Sequence, residues 1–296
     1  MKILITGVGG FIGNKLVKSL KKENNFLIGI ARSPIENDIK LDELIFKELT
    51  PKTDLSKYLI DVDIVIHLAA KVHFHSKSNV KDINSYIKEN FLVTKNLIHQ
   101  ALYSNVKRFV FLSSVGVYGS SSKKPFTEED EVKPDSSYSK SKVMCENYIR
   151  DFCRGTKLSF TIIRSPLVYG IDAPGNLGIL KKFIDLKIPL PILSLDRNKR
   201  SIISISKLVE FIKICIEQEK SINQTFLVSD GNDRSTLEII NLFCEISNLK
   251  LRAFKCPTFL LIVFFKIIGR DDLKKKLINS FQINIDKSMR LLNYDP

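Results

Sequence analysis

The chain has 296 residues, a net charge of +14 and 44% hydrophobic residues, enough for one large α/β unit or two domains sharing a cleft. No apolar run approaches the roughly 18 residues of a membrane span, and with Met1 leading straight into an expected strand no signal peptide is expected. Five scattered cysteines, Cys145, Cys153, Cys215, Cys244 and Cys256, form no C-x-x-C pair and read as reduced cytoplasmic thiols, and cations spread along the chain without interleaved aromatics set nucleic-acid binding aside.

The first apolar run, 3–5, ends in glycines, and a helical pattern of Phe11, Ile12, Leu16 and Leu20 starts immediately after. Gly7, Gly10 and Gly13 give G-x-x-G-x-x-G at a strand–turn–helix junction. Free N–H groups and the positive end of the helix dipole then face one point, and the missing side chains let a pyrophosphate approach. Further strands are expected at 26–30, 44–46, 64–66, 108–112 and 160–163, with helices at 83–103 and 136–154. This alternation implies a Rossmann-type, doubly wound parallel sheet with helices on both faces. Ligands bind such sheets at the carboxyl ends of the strands, where Gly7, Ala31, His67, Ser113 and Arg164 fall.

After Arg164 the texture changes. Loop signals at 172–175 and 188–191 bracket a helix at 177–186. Helices at 206–216, 237–246, 258–268 and 271–280 follow, with one strand at 225–228. The expected division is a dinucleotide-binding domain at 1–170, with later segments returning to it, and a smaller, mostly helical substrate domain at 171–296.

The segment Ser136-Ser137-Tyr138-Ser139-Lys140-Ser141-Lys142 contains Y-x-x-x-K. On a helix this spacing puts Tyr138 and Lys142 on one face. A tyrosine with its ordinary pKa of about 10 is a poor base at neutral pH, but a nearby ammonium and a positively charged nicotinamide stabilise the phenolate. Ser114 ends a strand one helix earlier, so its hydroxyl can reach the substrate oxygen that Tyr138 reaches. His73 and His75 lie near one another but lack carboxylates at ligand spacing, so no metal is expected. The most apolar run, 259–265, reads first as a core helix of the smaller domain. Its flanking cations Lys250, Arg252, Lys255, Lys266 and Arg270 leave open a peripheral membrane contact.

Thr6-Gly7-x-x-Gly10-Phe11-Ile12-Gly13, His67-Leu68-Ala69-Ala70, Ser113-Ser114-x-x-Val117-Tyr118-Gly119 and Tyr138-x-x-x-Lys142 together resemble the extended short-chain dehydrogenase/reductase family. Further on, Arg164-Ser165-Pro166-Leu167-Val168-Tyr169-Gly170, Leu190-Pro191, Arg200-Ser201 and the 223–231 segment are similar to its bacterial surface-polysaccharide branch of UDP-sugar 4-epimerases and 4-ketoreductases. The resemblance implies that Gly7, Gly10 and Gly13 bind the pyrophosphate, with Phe11 and Ile12 as backbone donors. It places Leu68 and Ala69 along the dinucleotide and Asn90 at a ribose. Ser114, Tyr138 and Lys142 become catalytic, Lys142 also holding the nicotinamide ribose. Asn176 and Arg200 match positions that contact the sugar-nucleotide diphosphate. Family habit implies a homodimer.

Two departures from the family pattern carry information. The second strand ends Ile30-Ala31-Arg32, without the carboxylate that bonds the ribose 2′-OH in NAD-binding relatives. Arg32 can meet a 2′-phosphate instead, which leans the choice between NAD and NADP toward NADP. Val115-Gly116 stand where 4,6-dehydratases of the family carry Asp-Glu, which argues against water elimination. The reading is therefore C4 epimerisation of a UDP-hexose or UDP-N-acetylhexosamine. Its alternatives are NADPH-dependent reduction of a UDP-4-keto-6-deoxy-N-acetylhexosamine and, in another class, a non-catalytic dinucleotide-binding scaffold. A lipid-diphosphate carrier stays open beside UDP.

Overall fold

The computed structural model describes residues 1–35, 40–72, 83–267, 269 and 271–296. Seven parallel strands form the central sheet: β1 (Lys2–Thr6), β2 (Phe26–Ala31), β3 (Glu43–Phe46), β4 (Ile64–His67), β5 (Arg108–Ser114), β6 (Ser159–Ser165) and β9 (Gln224–Leu227), in the order β3-β2-β1-β4-β5-β6-β9. The order reverses beside β1, so the crevice above the β1 and β4 ends is where such sheets take ligands.

Both faces of the sheet are covered, and the middles of its central strands β1, β2, β4 and β5 are apolar runs. Alternate residues of one strand enter different cores. Ile3 and Ile5 pack with Leu16, Val17 and Leu20 of α1 (Phe11–Leu20), while Leu4 between them packs with Val65, Leu97 and Phe109 on the other face. Each such buried side chain contributes about 1.5–3 kcal/mol. The second face is closed by α3 (Val93–Tyr103) and α4 (Ser137–Cys153) through Leu97, Ile98, Cys145 and Ile149. All five cysteines are free thiols, four of them buried.

The helix expected at 83–103 is interrupted. α2 (Ile83–Tyr86) passes through a wide π turn over Ile87–Leu92 into α3. Such turns insert one extra residue and often mark functional positions; this one carries the buried Asn90. The chain then forms a two-stranded parallel sheet from β7 (Leu167–Tyr169) and β8 (Ile202–Ser204), which the periodicity did not reveal because each strand is three residues long.

Beyond β6, α5 (Asn176–Asp185), α7 (Thr236–Ile246) and α8 (Thr258–Ile267) surround a separate small core of Ile184, Ile192, Leu195, Ile240, Cys244 and Leu261, with α9 (Asp271–Ile278) following. In contrast, α6 (Ile205–Glu217) and β9 pack into the first core. The C-terminal segment ending in α10 (Asp286–Leu292) joins them through Phe281, Ile283, Ile285, Leu292 and Tyr294. The apolar run of α8 departs from the expectation of a core helix: Leu261 alone is buried within it. Among the described residues no helix is long and apolar enough to cross a membrane.

Candidate active site

The glycine turn is shaped by close backbone approach. Gly7 takes φ +77°, a left-handed conformation that strains other residues, and donates its N–H to Ile30 O at 2.9 Å. A Cβ at Gly13 would sit 2.2 Å from Gly7 O and 2.8 Å from Val8 Cα. The turn also seats against β4's continuation, since a Cβ on Gly7 would meet Ala69 N at 3.0 Å. Gly10 caps α1 with no side-chain hydrogen bond, so the cap itself leaves the first-turn N–H groups of Phe11, Ile12 and Gly13 unclaimed. An uncapped, glycine-lined helix start suits a diphosphate, and these residues fit a dinucleotide.

Above β4 a buried hydrogen-bond chain fixes the floor. Thr6 Oγ1 lies 2.7 Å from His67 Nδ1 and accepts from Ala69 N at 3.2 Å; His67 Nε2 meets Thr94 Oγ1 at 3.0 Å. Burial pulls the His67 imidazole down to about 3, with the Lys142 charge adding to this, so it stays neutral and structural. Asn90 Oδ1 accepts from Lys71 N at 2.7 Å, and its Nδ2 donates to Lys71 O and to Ser141 Oγ. Its amide thus ties the loop after β4 to α4. Arg32 is exposed just beyond β2.

α4 starts at a reciprocal cap: Ser136 accepts from Ser139 N at 3.1 Å and Ser139 Oγ accepts from Ser136 N at 3.2 Å. This fixes the entry of the turn that carries Tyr138. One turn on, Lys142 is buried, its ammonium donating to Leu112 O at 2.7 Å. That ammonium lies 4.4 Å from the Phe111 ring centroid and 5.9 Å from that of Tyr138. Burial pulls Lys142 down to about 8 and pushes the Tyr138 phenol above its ordinary range, Cys145 and Tyr86 adding to the latter. Tyr138 is therefore a phenol, not a phenolate, in the chain alone.

Ser114 ends β5 and its Oγ accepts from Gly116 N at 3.1 Å. Its own proton has no acceptor among the described residues. A Cβ on Gly116 would lie 3.3 Å from Ser114 Oγ and 3.6 Å from Ser139 Cβ, so the β5 end and the start of α4 are close neighbours.

What holds them together was not visible from the motifs. Glu146, one turn beyond Lys142, is buried and accepts from Arg164 Nε at 3.1 Å and Nη2 at 2.7 Å, from Ser113 Oγ at 2.5 Å and from Arg150 Nη2 at 2.7 Å. Burial alone would raise its pKa, but the Arg164 bonds and charge hold the carboxyl below the ordinary range. Arg164 also donates to Tyr118 OH. One carboxylate thus pins the ends of β5 and β6 to α4. The Tyr138, Lys142 and Glu146 spacing of four was the available signal.

Asn176 stands exposed at the first position of α5, after Gly175 at φ +73°. α5 approaches the glycine turn, because Leu177 shares a small cluster with Phe11 and Tyr169. Arg200 Nη1 donates to Asn279 O at 2.8 Å, and burial pulls this guanidinium down to about 10 with no carboxylate offsetting it among the described residues. Its backbone pairs with Arg234 in an antiparallel bridge, with bonds of 2.8 and 3.0 Å. Sequence reading passed over Arg234, which lies 34 residues away and meets Arg200 only through this pairing. His73 and His75 lie outside the described residues, and no metal-holding group of His, Cys, Asp and Glu occurs among the described ones.

The NAD dependent epimerase/dehydratase family model matches residues 3–228. A UDP-glucose 4-epimerase of Vibrio cholerae is 33% identical over 299 residues, spanning 99% of this chain and 90% of that relative. An N-acetyl-alpha-D-glucosaminyl-diphospho-ditrans,octacis-undecaprenol 4-epimerase of Escherichia coli O157:H7 is 26% identical over 296 residues, spanning 95% of this chain and 84% of the relative. The structure of UDP-glucuronic acid 4-epimerase from Bacillus cereus in complex with UDP-glucuronic acid and NAD shares the fold. Its TM-score is 0.80 over 100% of this chain and 94% of that one, at 23% identity.

Proposed function

The chain belongs to the NAD dependent epimerase/dehydratase family, and from that premise we propose that it epimerises C4 of a UDP-hexose or UDP-N-acetylhexosamine through a transient 4-keto sugar. The observation that carries this reading is the grouping of Ser114, Tyr138 and Lys142 around the ends of β5 and α4, beside an uncapped glycine turn. The similarity to the Vibrio cholerae UDP-glucose 4-epimerase supports it across nearly the whole chain.

When bound, the dinucleotide would supply a hydride acceptor and donor for C4 and a positively charged ring. Gly7, Gly10 and Gly13 would admit its diphosphate, with the N–H groups of Phe11 and Ile12 as donors, and Leu68 and Ala69 would line it. Added positive charge opposes the burial that keeps Tyr138 protonated. The Tyr138 phenolate then takes the 4-OH proton as the sugar is oxidised, and returns it when the 4-keto group is reduced on its other face. Lys142 holds positive charge near the phenolate throughout. Ser114 donates its unspent proton to the C4 oxygen and stabilises the charge that develops there.

The unneutralised Arg200, with Arg234 beside it, suits the sugar-nucleotide diphosphate, because guanidinium binds phosphate oxygens in pairs. Residues 171–296 then supply the sugar-nucleotide side of the cleft, except α6, β9 and α10, which complete the sheet unit. Asn176, exposed at the mouth of α5, serves the same ligand.

A second reading, reduction of a UDP-4-keto-6-deoxy-N-acetylhexosamine, draws on Ala31 and exposed Arg32 at the β2 end. That pair offers no carboxylate to a ribose 2′-OH and a cation to a 2′-phosphate. One experiment separates the two. The protein is incubated with UDP-glucose, UDP-N-acetylglucosamine or the 4-keto-6-deoxy sugar nucleotide, and NADPH absorbance is followed with product analysis. Interconversion of C4 epimers without net NADPH loss is expected. Steady loss with the keto sugar alone refutes the epimerase assignment.

A further inference from the structure

A helix that is apolar around its whole circumference is ordinarily buried. α8 is not. Leu261 points into the small core and Phe265 is half-buried beside it, one turn on. The opposite side carries Phe259, Val263 and Ile267 at intervals of four, flanked by Leu260 and Phe264. Phe259 is 64% exposed, Phe264 54% and Ile267 77%. The patch continues onto the preceding segment. Leu193 N donates to Phe254 O at 3.4 Å, and both side chains are exposed. Apolar exposure on this scale marks an interaction surface rather than scattered surface residues.

Along the chain, the charge up to Asp271 and Asp272 at the start of α9 is of one sign. From 247 to 270 the sequence contains no Asp or Glu, while Lys250, Arg252, Lys255, Lys266 and Arg270 fall within it. The first four are exposed, and no ion pair engages them among the described residues. A two-fold interface between copies would press this cationic stretch against itself. An apolar stripe bordered by unpaired cations instead matches a surface that is anionic outside and apolar beneath. At 1.5 Å per residue, the ten residues of α8 reach about 15 Å, half the apolar thickness of a bilayer, so the helix can lie in the interface but not span it.

We propose that α8 and the adjoining 250–255 segment dock the protein on an anionic phospholipid surface. Phe259, Leu260, Val263, Phe264 and Ile267 enter the boundary between headgroups and acyl chains. Lys250, Arg252, Lys255 and Lys266 meet lipid phosphates, an attraction that fades beyond a screening length of about 8 Å at physiological salt. A sugar carried on a membrane lipid would be presented from that surface, whereas a free sugar nucleotide would not require it.

Co-sedimentation of the full chain with vesicles tests the proposal. Phosphatidylcholine vesicles containing a quarter phosphatidylglycerol are compared with pure phosphatidylcholine, in low salt and in 0.5 M salt. Binding to the anionic vesicles is expected, weakened at least tenfold by removing the anionic lipid or adding salt. Phe259→Glu with Phe264→Glu abolishes it. Lys255→Glu with Lys266→Glu weakens it at least tenfold while leaving the apolar face intact. Both pairs lie on the surface and keep the wild-type melting temperature. A wild-type chain that stays in the supernatant with anionic vesicles overturns the proposal, as does undiminished binding by both double variants. A dimer in light scattering that Phe259→Glu with Phe264→Glu converts to monomer also overturns it, by assigning the face to a second copy.

Discussion

Replacing Glu146 with Gln probes the joint that sets the catalytic geometry. The change keeps the side chain's volume and removes its charge. Glu146 is 1% exposed and Arg164 3%, so the guanidinium cannot turn to water for compensation. Breaking a buried pair by neutralising one partner costs about 3–5 kcal/mol, chiefly because a charge is left uncompensated. Arg150, on the more exposed side, adds little by comparison. With roughly 2 °C lost per kcal/mol in a large domain, the melting temperature falls by at least about 6 °C. Ser113 also loses its strong acceptor, so the β5 end loosens against α4 and kcat drops more than KM rises. The double variant Glu146→Gln with Arg164→Met, which removes both charges, recovers part of the lost stability. The pair also predicts the acid limb. Its carboxylate pKa is depressed on folding, so its stabilisation is present above the unfolded value near 4.5 and is lost as pH falls through the folded one. Thermal melting and steady-state kinetics read all of this. An unchanged melting temperature for Glu146→Gln would refute the reasoning.

Three further outcomes are expected. Tyr138→Phe lowers kcat by about 10²–10⁴-fold, the usual worth of a positioned acid–base group, while dinucleotide affinity, read by fluorescence titration, changes little; retention of full activity ends the catalytic assignment. Gly13→Ala places a Cβ 2.2 Å from Gly7 O, so the turn must open, and dinucleotide binding weakens at least tenfold with a lower melting temperature; wild-type affinity contradicts the cradle geometry. Lys142→Met changes the alkaline behaviour of stability. With a folded pKa of about 8 against 10.5 unfolded, the unfolded chain binds the extra proton between these values, so this group's destabilisation is full below pH 8 and is relieved as pH rises toward 10.5. Between pH 8 and 10 the wild-type melting temperature therefore rises relative to the variant's, and the variant loses activity; a difference that moves the other way with pH reverses the assignment.

Much of the sheet was legible because its central strands are buried on both faces and read as apolar runs. The expected strands at 26–30, 64–66 and 108–112 reappear as β2, β4 and β5 with ends displaced by one or two residues. The helix at 136–154 reappears as α4. Chain order then placed Gly7, Ser114 and Tyr138 at neighbouring ends, since parallel crossovers return every strand to the same edge. β7 and β8 were too short for periodicity to register, and the π turn at 87–92 depends on a backbone bonding pattern that no residue type specifies. The run 259–265 misled in the expected direction, because hydrophobicity reports a preference for leaving water without naming what receives the side chain.

The sequence by itself determined the glycine turn, the alternation of strand and helix, and the one-turn spacing of Tyr138 and Lys142, all of which are local backbone and side-chain properties. The tertiary structure decided what depends on distant partners. It placed Glu146 between Arg164 and Ser113, paired Arg200 with Arg234, and committed the Asn90 amide to Lys71 and Ser141. It also left the outer side of α8 in water. The reason is physical: a charge or an apolar face is given its role by the groups that pack against it, and folding alone chooses those groups.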